Sequence, residues 1–151
     1  MNKWLTDLTV EELRARIAPK PYKPVEIDGI PIFKNMDAQL LPKEVFKKHP
    51  QHNVDVSNLG RIRYNGAILL QMPDAAKEDD PYGYLRIASI RGVIESGLVY
   101  RLVAETWCDR PDQNIYNTVH HISNNGTDNR AENLLWVTRE QHAEIHQISK
   151  A

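Results

Sequence analysis

The segment from Val119 to His146 constrains this chain more than any other. It reads as a short strand, a polar loop, a second strand and a helix, and it holds four of the chain's six histidines. His142 and His146 are four residues apart, so on a helix they share one face, one turn apart. Two imidazoles at that spacing can hold one metal ion between them. Thr138 followed by Gln141 makes a capping box that starts the helix and leaves both histidines early in it, facing back toward the hairpin. A third ligand is on offer from the first strand, at His120 or His121.

Taken singly these signals are weak. Paired histidines on an amphipathic helix are often surface decoration, and an adjacent His-His says little by itself. The combination, with a turn-rich loop of Ser, Asn, Gly and Asp between the two parts, points to a site. A structural zinc clasp closes with four protein ligands and commonly uses cysteine. The single cysteine, Cys108, lies outside the cluster. Three histidines with an open position are the pattern of a catalytic metal.

The stretch from about Thr118 to His146 resembles the HNH, or ββα-metal, nuclease motif of phage homing endonucleases and colicin-type DNases. The resemblance implies that His120 is the first metal ligand and His121 the general base. It implies that Asn133, counted with His121 among the catalytic residues, holds the hairpin loop in shape, and that His142 and His146 complete the metal site. Two positions depart from the pattern. Many phage homing enzymes carry Asn where His142 stands, so the helix is more similar to the colicin type. An acidic residue is common where Ser123 follows His-His-Ile.

The implied chemistry is phosphodiester hydrolysis on one divalent metal, leaving 5′-phosphate and 3′-hydroxyl ends. An imidazole can take a proton from water near neutral pH. A bound ion acts as Lewis acid and template for the phosphate oxygens. Magnesium or manganese is expected to support turnover, while zinc or nickel can occupy a site of three imidazoles by the Irving–Williams order. One geometric tension is visible. Neighbours in a regular strand point to opposite faces, so the phosphate has to lie between base and metal rather than beside both.

Between about Val54 and Trp107 the chain resembles the nuclease-associated modular domain found ahead of phage HNH motifs, through Val56-Ser-Asn-Leu-Gly-Arg-Ile-Arg63 and Arg101-Leu-Val-Ala104. Alternating apolar residues around Ser57, Asn58 and Gly60 read as a tight hairpin, with Asn58 and Gly60 placed for positive φ. A second strand pair is expected from 67–71 and 84–90, around the polar stretch Pro73–Gly83. A helix is expected over 99–107, with Leu98, Leu102 and Trp107 toward a core and Pro111 beyond its end. Arg61, Arg63, Arg86, Arg91, Arg101 and Arg130 are the expected phosphate contacts. A local stripe of this kind is needed because the formal net charge is only −1.

The first fifty residues carry a capping box at Thr9 and Glu12, opening a helix through about Ile17, then a hairpin around Asp28-Gly29. A short helix is expected over Pro42–Lys48. No family resemblance covers this region, whose role as DNA contact, dimer surface or brace stays open.

The expectation is therefore an α+β chain, a small antiparallel β-hairpin and helix module followed by a ββα-metal motif. Its parts are an N-terminal region over 1–50, a DNA-docking module over 51–110 and the nuclease motif over 111–151. At 151 residues with 41% hydrophobic content it has the composition of an ordinary globular protein. No run is apolar enough for a membrane span, and the first residues lack a signal peptide's apolar core. The expected location is cytoplasmic, in a bacterial host cell for a phage-encoded chain. The expected partner is double-stranded DNA, bound by a monomer or homodimer. With no helical DNA-reading module after His146, specificity is expected to come from residues before about 110. A toxin-like non-specific DNase and an inactive DNA-binding module are the alternatives.

Overall fold

The computed structural model describes residues 8–74, 82–95 and 97–150, with side chains to Gln147. The opening residues 1–7 and most of the polar stretch after Pro73 lie outside them. Helix α1 (Val10–Ala15) starts at Thr9, whose Oγ1 accepts the Glu12 N–H at 3.1 Å. This is the capping interaction expected of Thr9 and Glu12. Strands β1 (Glu26–Ile27) and β2 (Ile30–Pro31) form a two-residue hairpin. Asp28 and Gly29 turn it at φ of 54° and 79°, the left-handed pair such a turn requires.

Residues 42–48 were expected as a helix and are not one. Lys43 sits at φ 64°, which breaks any helical run, and strand β3 (Phe46–Lys48) pairs with β4 (Asp55–Ser57). The sheet continues through β5 (Ile62–Tyr64) and β6 (Ala67–Ile68) in the order β3-β4-β5-β6, so the hairpin expected over 54–63 is its centre. The single strand expected over 67–71 is split. Gln71 opens β7 (Gln71–Pro73), which joins β8 (Leu85–Ile87) and β9 (Gly97–Leu98) in a separate three-stranded sheet.

Helix α2 (Val99–Trp107) packs on both sheets. Val99, Leu102, Val103 and Ala104 are buried, whereas Leu98 and Trp107 are only partly so. The nuclease-like segment follows as β10 (Thr118–His121), β11 (Leu134–Val137) and α3 (Arg139–Lys150). Its capping box is fully formed. The Gln141 N–H donates to Thr138 Oγ1 at 3.1 Å and the Thr138 N–H to Gln141 Oε1 at 3.0 Å.

One hydrophobic core runs from Val54, Val56 and Ile62 through Leu85, Val99 and Val103 to Leu134 and Trp136. The Trp136 indole N–H donates to the Ala104 carbonyl at 3.1 Å, tying β11 to α2. A second cluster joins Leu13 of α1 to Ile122, Leu135, Val137 and Ile145. The N-terminal region is thus a brace for the nuclease-like segment. Ala18 N–H donates to the Ser123 carbonyl (2.8 Å) and the Arg16 guanidinium to the Glu132 carbonyl (2.8 Å). Cys108 is semi-buried, its Sγ 3.7 Å from the carbonyl oxygens of Ala131 and Leu134, and burial pushes its thiol up to about 11.

Arg61 corrects an expectation. It is 0% exposed, and all five of its N–H donors have partners within the chain. Nε and Nη2 grip the Glu44 carboxylate, Nη1 serves the carbonyls of Asn35 (3.2 Å) and Asp37 (2.6 Å), and Nη2 also serves Gln39 (3.0 Å). Burial alone would raise the Glu44 carboxyl; the bonds from Arg61 and the Leu41 N–H hold it below the ordinary value instead. No donor remains for a phosphate. Asn58 likewise lacks the positive φ expected of it. Its Oδ1 accepts the Val45 N–H (2.8 Å) and its carbonyl accepts the Ala131 N–H (2.8 Å), bracketing the hairpin to the nuclease-like segment.

Removing one partner of a buried, fully bonded ion pair leaves a desolvated charge, at a cost of about 3–5 kcal/mol. Arg61→Ala should lower unfolding stability by that amount in urea titration. Unchanged stability with weakened DNA binding would show that Arg61 is a phosphate contact after all.

Candidate active site

Strand β10 ends in His120 and His121, both about 5% exposed or less, paired with Leu135 and Leu134 of β11. The alternation of a strand sends the two rings to opposite sides. His120 faces α3, where its ring centroid lies 5.7 Å from that of His142 and 6.3 Å from that of His146. His121 faces α2 and β8, packed edge-on to Tyr100 at 5.3 Å and stacked with Tyr84 at 5.6 Å. The sequence thus fixes two chemical half-sites on one strand end, as the expected divergence required.

Two imidazoles of the metal half already stand at ligand spacing. His142 Nε2 and His146 Nε2 stand 3.1 Å apart. Two nitrogens bound at about 2.1 Å to one ion lie roughly 3.0–3.4 Å apart, so this pair fits. Rings that share an ion have centroids roughly 4.5–5.5 Å apart on the same bond length, so His120 is just beyond reach of an ion shared with His142, at 5.7 Å, and further beyond it for His146, at 6.3 Å. Accordingly, no three His, Cys, Asp or Glu side chains form a ready-made cage among the described residues. A small approach of His120 would complete the set. His142 is half-buried and His146 exposed, which leaves the outer side of the cluster open.

Electrostatics favour neutral donors here. Burial first, and then the neighbouring His142, His121 and His146, push the His120 imidazole down to about 3. Burial and His146 lower His142 as well. Imidazoles that resist protonation keep their lone pairs for a cation.

The loop between β10 and β11 is held by Asn133. Its Oδ1 accepts the Ser123 N–H (3.0 Å) and its Nδ2 donates to the Asp128 carbonyl (2.9 Å), closing the loop on both sides. Asn125 ties the same loop to the N-terminal region through the Lys23 carbonyl at 2.7 Å. The loop also delivers Asn129, whose Oδ1 lies 2.7 Å from His121 Nε2. Asn129, Tyr84 and Tyr100 therefore surround the expected base, and none of them was singled out from sequence. Tyr84 and Tyr100 carry no local signal linking them to a histidine more than twenty residues away. Asn129 was hidden among turn residues.

The remaining arginines are exposed to differing degrees and mostly paired. Arg63 bonds Asp55 (3.0 Å) over the Phe46 ring, Arg86 meets Asp74 at 3.4 Å, and Arg101 meets Glu105 at 3.5 Å. Arg130 grips Asp128 at 2.8 Å and Glu132 at 2.6 Å. Arg91 is exposed on the turn bridged by Ile90 and Ile94.

A pH dependence of stability follows from His120. In the unfolded chain its imidazole binds a proton near the ordinary value of about 6.5, whereas the folded chain resists until about 3. The unfolded state therefore binds more protons in that window, and stability is lost as pH falls through it. In chelator, the melting temperature should drop between pH 7 and pH 5, and His120→Gln should flatten the slope. An unchanged slope in the variant would contradict the placement of His120.

The HNH endonuclease family matches residues 114–144. A protein from Acanthamoeba polyphaga mimivirus described as an uncharacterised HNH endonuclease is 41% identical over 70 residues, covering 46% of this chain and 20% of that protein. The chain thus spans a small part of that relative. A solved structure described as "DNA binding and cleavage by the HNH homing endonuclease I-HmuI" aligns with TM-score 0.55 and 28% identity, over 70% of this chain and 59% of the other. The family match takes in His120, His121, Asn133 and His142 but stops short of His146. Residues 114–144 are thus similar to the HNH endonuclease family.

Proposed function

We propose that this chain is a metal-dependent endonuclease that hydrolyses phosphodiester bonds of double-stranded DNA. The observation that carries the reading is the divergence of His120 and His121 from one strand end. One ring joins His142 and His146, and the other is held by Asn129. His120, His142 and His146 would hold a divalent ion, which supplies Lewis-acid neutralisation of the phosphate when bound.

The chain's own residues do the rest. His121 takes the proton from the attacking water, as a positioned imidazole can. Asn129 fixes the ring by its bond to Nε2, and Tyr100 and Tyr84 limit the ring's rotation and its contact with bulk water. Asn133 keeps the loop that presents Asn129 in shape. Tyr84 is 50% exposed, so it can meet a nucleotide while stacking on the base. The exposed ion pair Arg86–Asp74 contributes at most about 1 kcal/mol, so phosphate can displace its carboxylate at little cost, while Arg63 is half-buried against Asp55. Arg91, Arg101 and Arg130 complete the proposed contacts; Arg61 is excluded by its burial. No helix among the described residues is long and apolar enough to cross a membrane.

The homing type, rather than a non-specific DNase, is the finer reading. It is supported by the 28% identity and shared fold with a structure described as a homing endonuclease. Defined fragments from a long DNA would bear it out, and a smear would favour the toxin-like reading.

Supercoiled plasmid should be nicked or linearised in magnesium or manganese and left intact in EDTA. His121→Ala should slow cleavage by roughly 10²–10⁴-fold, the usual contribution of a general base. Equal cleavage by the variant would remove His121 from the role. Arg91→Ala should weaken binding alike across sequences and reduce the salt slope by about one, read by fluorescence anisotropy. An unaltered slope would take Arg91 off the DNA surface.

A further inference from the structure

Between the upstream module and the nuclease-like loop lies a cavity of about 10 Å³, room for the centre of one water. Gly60, Gln71 and Asn129 line it. Gln71 is 6% exposed and Asn129 4%, and each has one buried side-chain atom without a hydrogen-bond partner: Gln71 Oε1 and Asn129 Nδ2. Buried polar atoms in folded proteins are nearly always satisfied, so two at one cavity call for an explanation. Their senses are complementary. One is an acceptor and the other a donor, the two ends that a single bridging water serves.

The orientation of both amides is set by their other ends. Gln71 Nε2 donates to the Gly60 carbonyl at 2.8 Å, which can only accept, so Oε1 is the end left without a partner. Asn129 directs Oδ1 to His121 Nε2 and leaves Nδ2 without a partner. Gly60 permits the close approach. It sits at φ 92°, and a Cβ there would stand 3.0 Å from the Asn129 carbonyl oxygen.

We propose that Gln71 is a positioning residue for His121, acting through one buried water and Asn129. The chain of bonds runs from the Gly60 carbonyl to Gln71, from Gln71 to the water, from the water to Asn129 and from Asn129 to the imidazole. It holds Asn129 with its carbonyl oxygen toward the ring. That orientation makes Nε2 the protonated nitrogen of the neutral imidazole and assigns the lone pair to Nδ1. The hairpin module therefore acts inside the active site as well as beside it, by fixing the tautomer of the base. The inference rests on the assignment of His121 as the base for its functional meaning, but its structural content stands apart from it.

The test is a long-range ¹H–¹⁵N spectrum of the full chain in magnesium at about pH 8, where ordinary imidazoles are neutral. His121 should show the Nε2–H tautomer. Gln71→Met, close in size but without the amide, should give a mixture of tautomers, with the melting temperature reporting that the fold is retained. It should lower kcat for plasmid cleavage by about tenfold with DNA affinity unchanged, the scale of losing an outer-shell partner. Asn129→Asp presents an acceptor to the ring whatever happens at the cavity. In that background Gln71→Met should leave the Nε2–H tautomer intact, a rescue that a merely structural role would not produce.

A wild-type Nδ1–H tautomer, or no change in Gln71→Met, overturns the proposal. A readout that needs no variant is a high-resolution crystal structure. One water within hydrogen-bonding distance of Gln71 Oε1 and Asn129 Nδ2 supports the proposal, and a dry cavity overturns it. A chain that shows the water and the tautomer yet cuts no DNA would retain this inference and lose the nuclease reading.

Discussion

Everything at this site depends on the alternation of side chains along β10. Because successive residues of a strand face opposite ways, His120 and His121 cannot serve the same partners. The fold builds a different environment on each side. Helix α3 brings two further imidazoles to His120, and the upstream module with α2 brings two tyrosines to His121. Asn129 arrives from the intervening loop. A one-residue slip of β10 against β11 would exchange the two rings and dismantle both halves. Register is secured by Trp136, fully buried and bonded to the Ala104 carbonyl, and by Val119 opposite it.

The nuclease-like segment does not stand alone. Its two faces are closed by parts of the chain that precede it. Leu13 of α1 packs under α3, while the Arg16 guanidinium and the backbone of Ala18 and Lys23 bond the β10–β11 loop. On the other side the hairpin at Ser57–Arg61 is pinned by the Arg61–Glu44 pair and meets the loop through Asn58 and Gly60. A stiff hairpin is useful there, since any looseness would pass through Gln71 and Asn129 to the base.

What could be read in the sequence was local. The capping boxes at Thr9 and Thr138, the Asp28-Gly29 turn and the helix over 99–107 each depend on residues within a few positions. The four histidines were legible for the same reason, because strand and helix periodicity fix which of them face together. What escaped is long-range. Arg61 reads like a surface cation until Glu44 and three carbonyls from residues 35–39 close around it. The strand at 46–48 reads like a helix until the left-handed Lys43 and its pairing with β4 override it. Tyr84, Tyr100 and Gln71 reach the site through the packing of β8, α2 and β7, which no spacing in the sequence announces.

The division of labour across β10 is most directly tested by zinc binding, followed by isothermal titration on the full chain. Three imidazoles should bind zinc well. One ion should bind per chain, lost or weakened by at least tenfold in His142→Ala and retained in His121→Ala. Equal affinity in His142→Ala, or loss of binding in His121→Ala, would contradict the separation of metal ligands from base across β10.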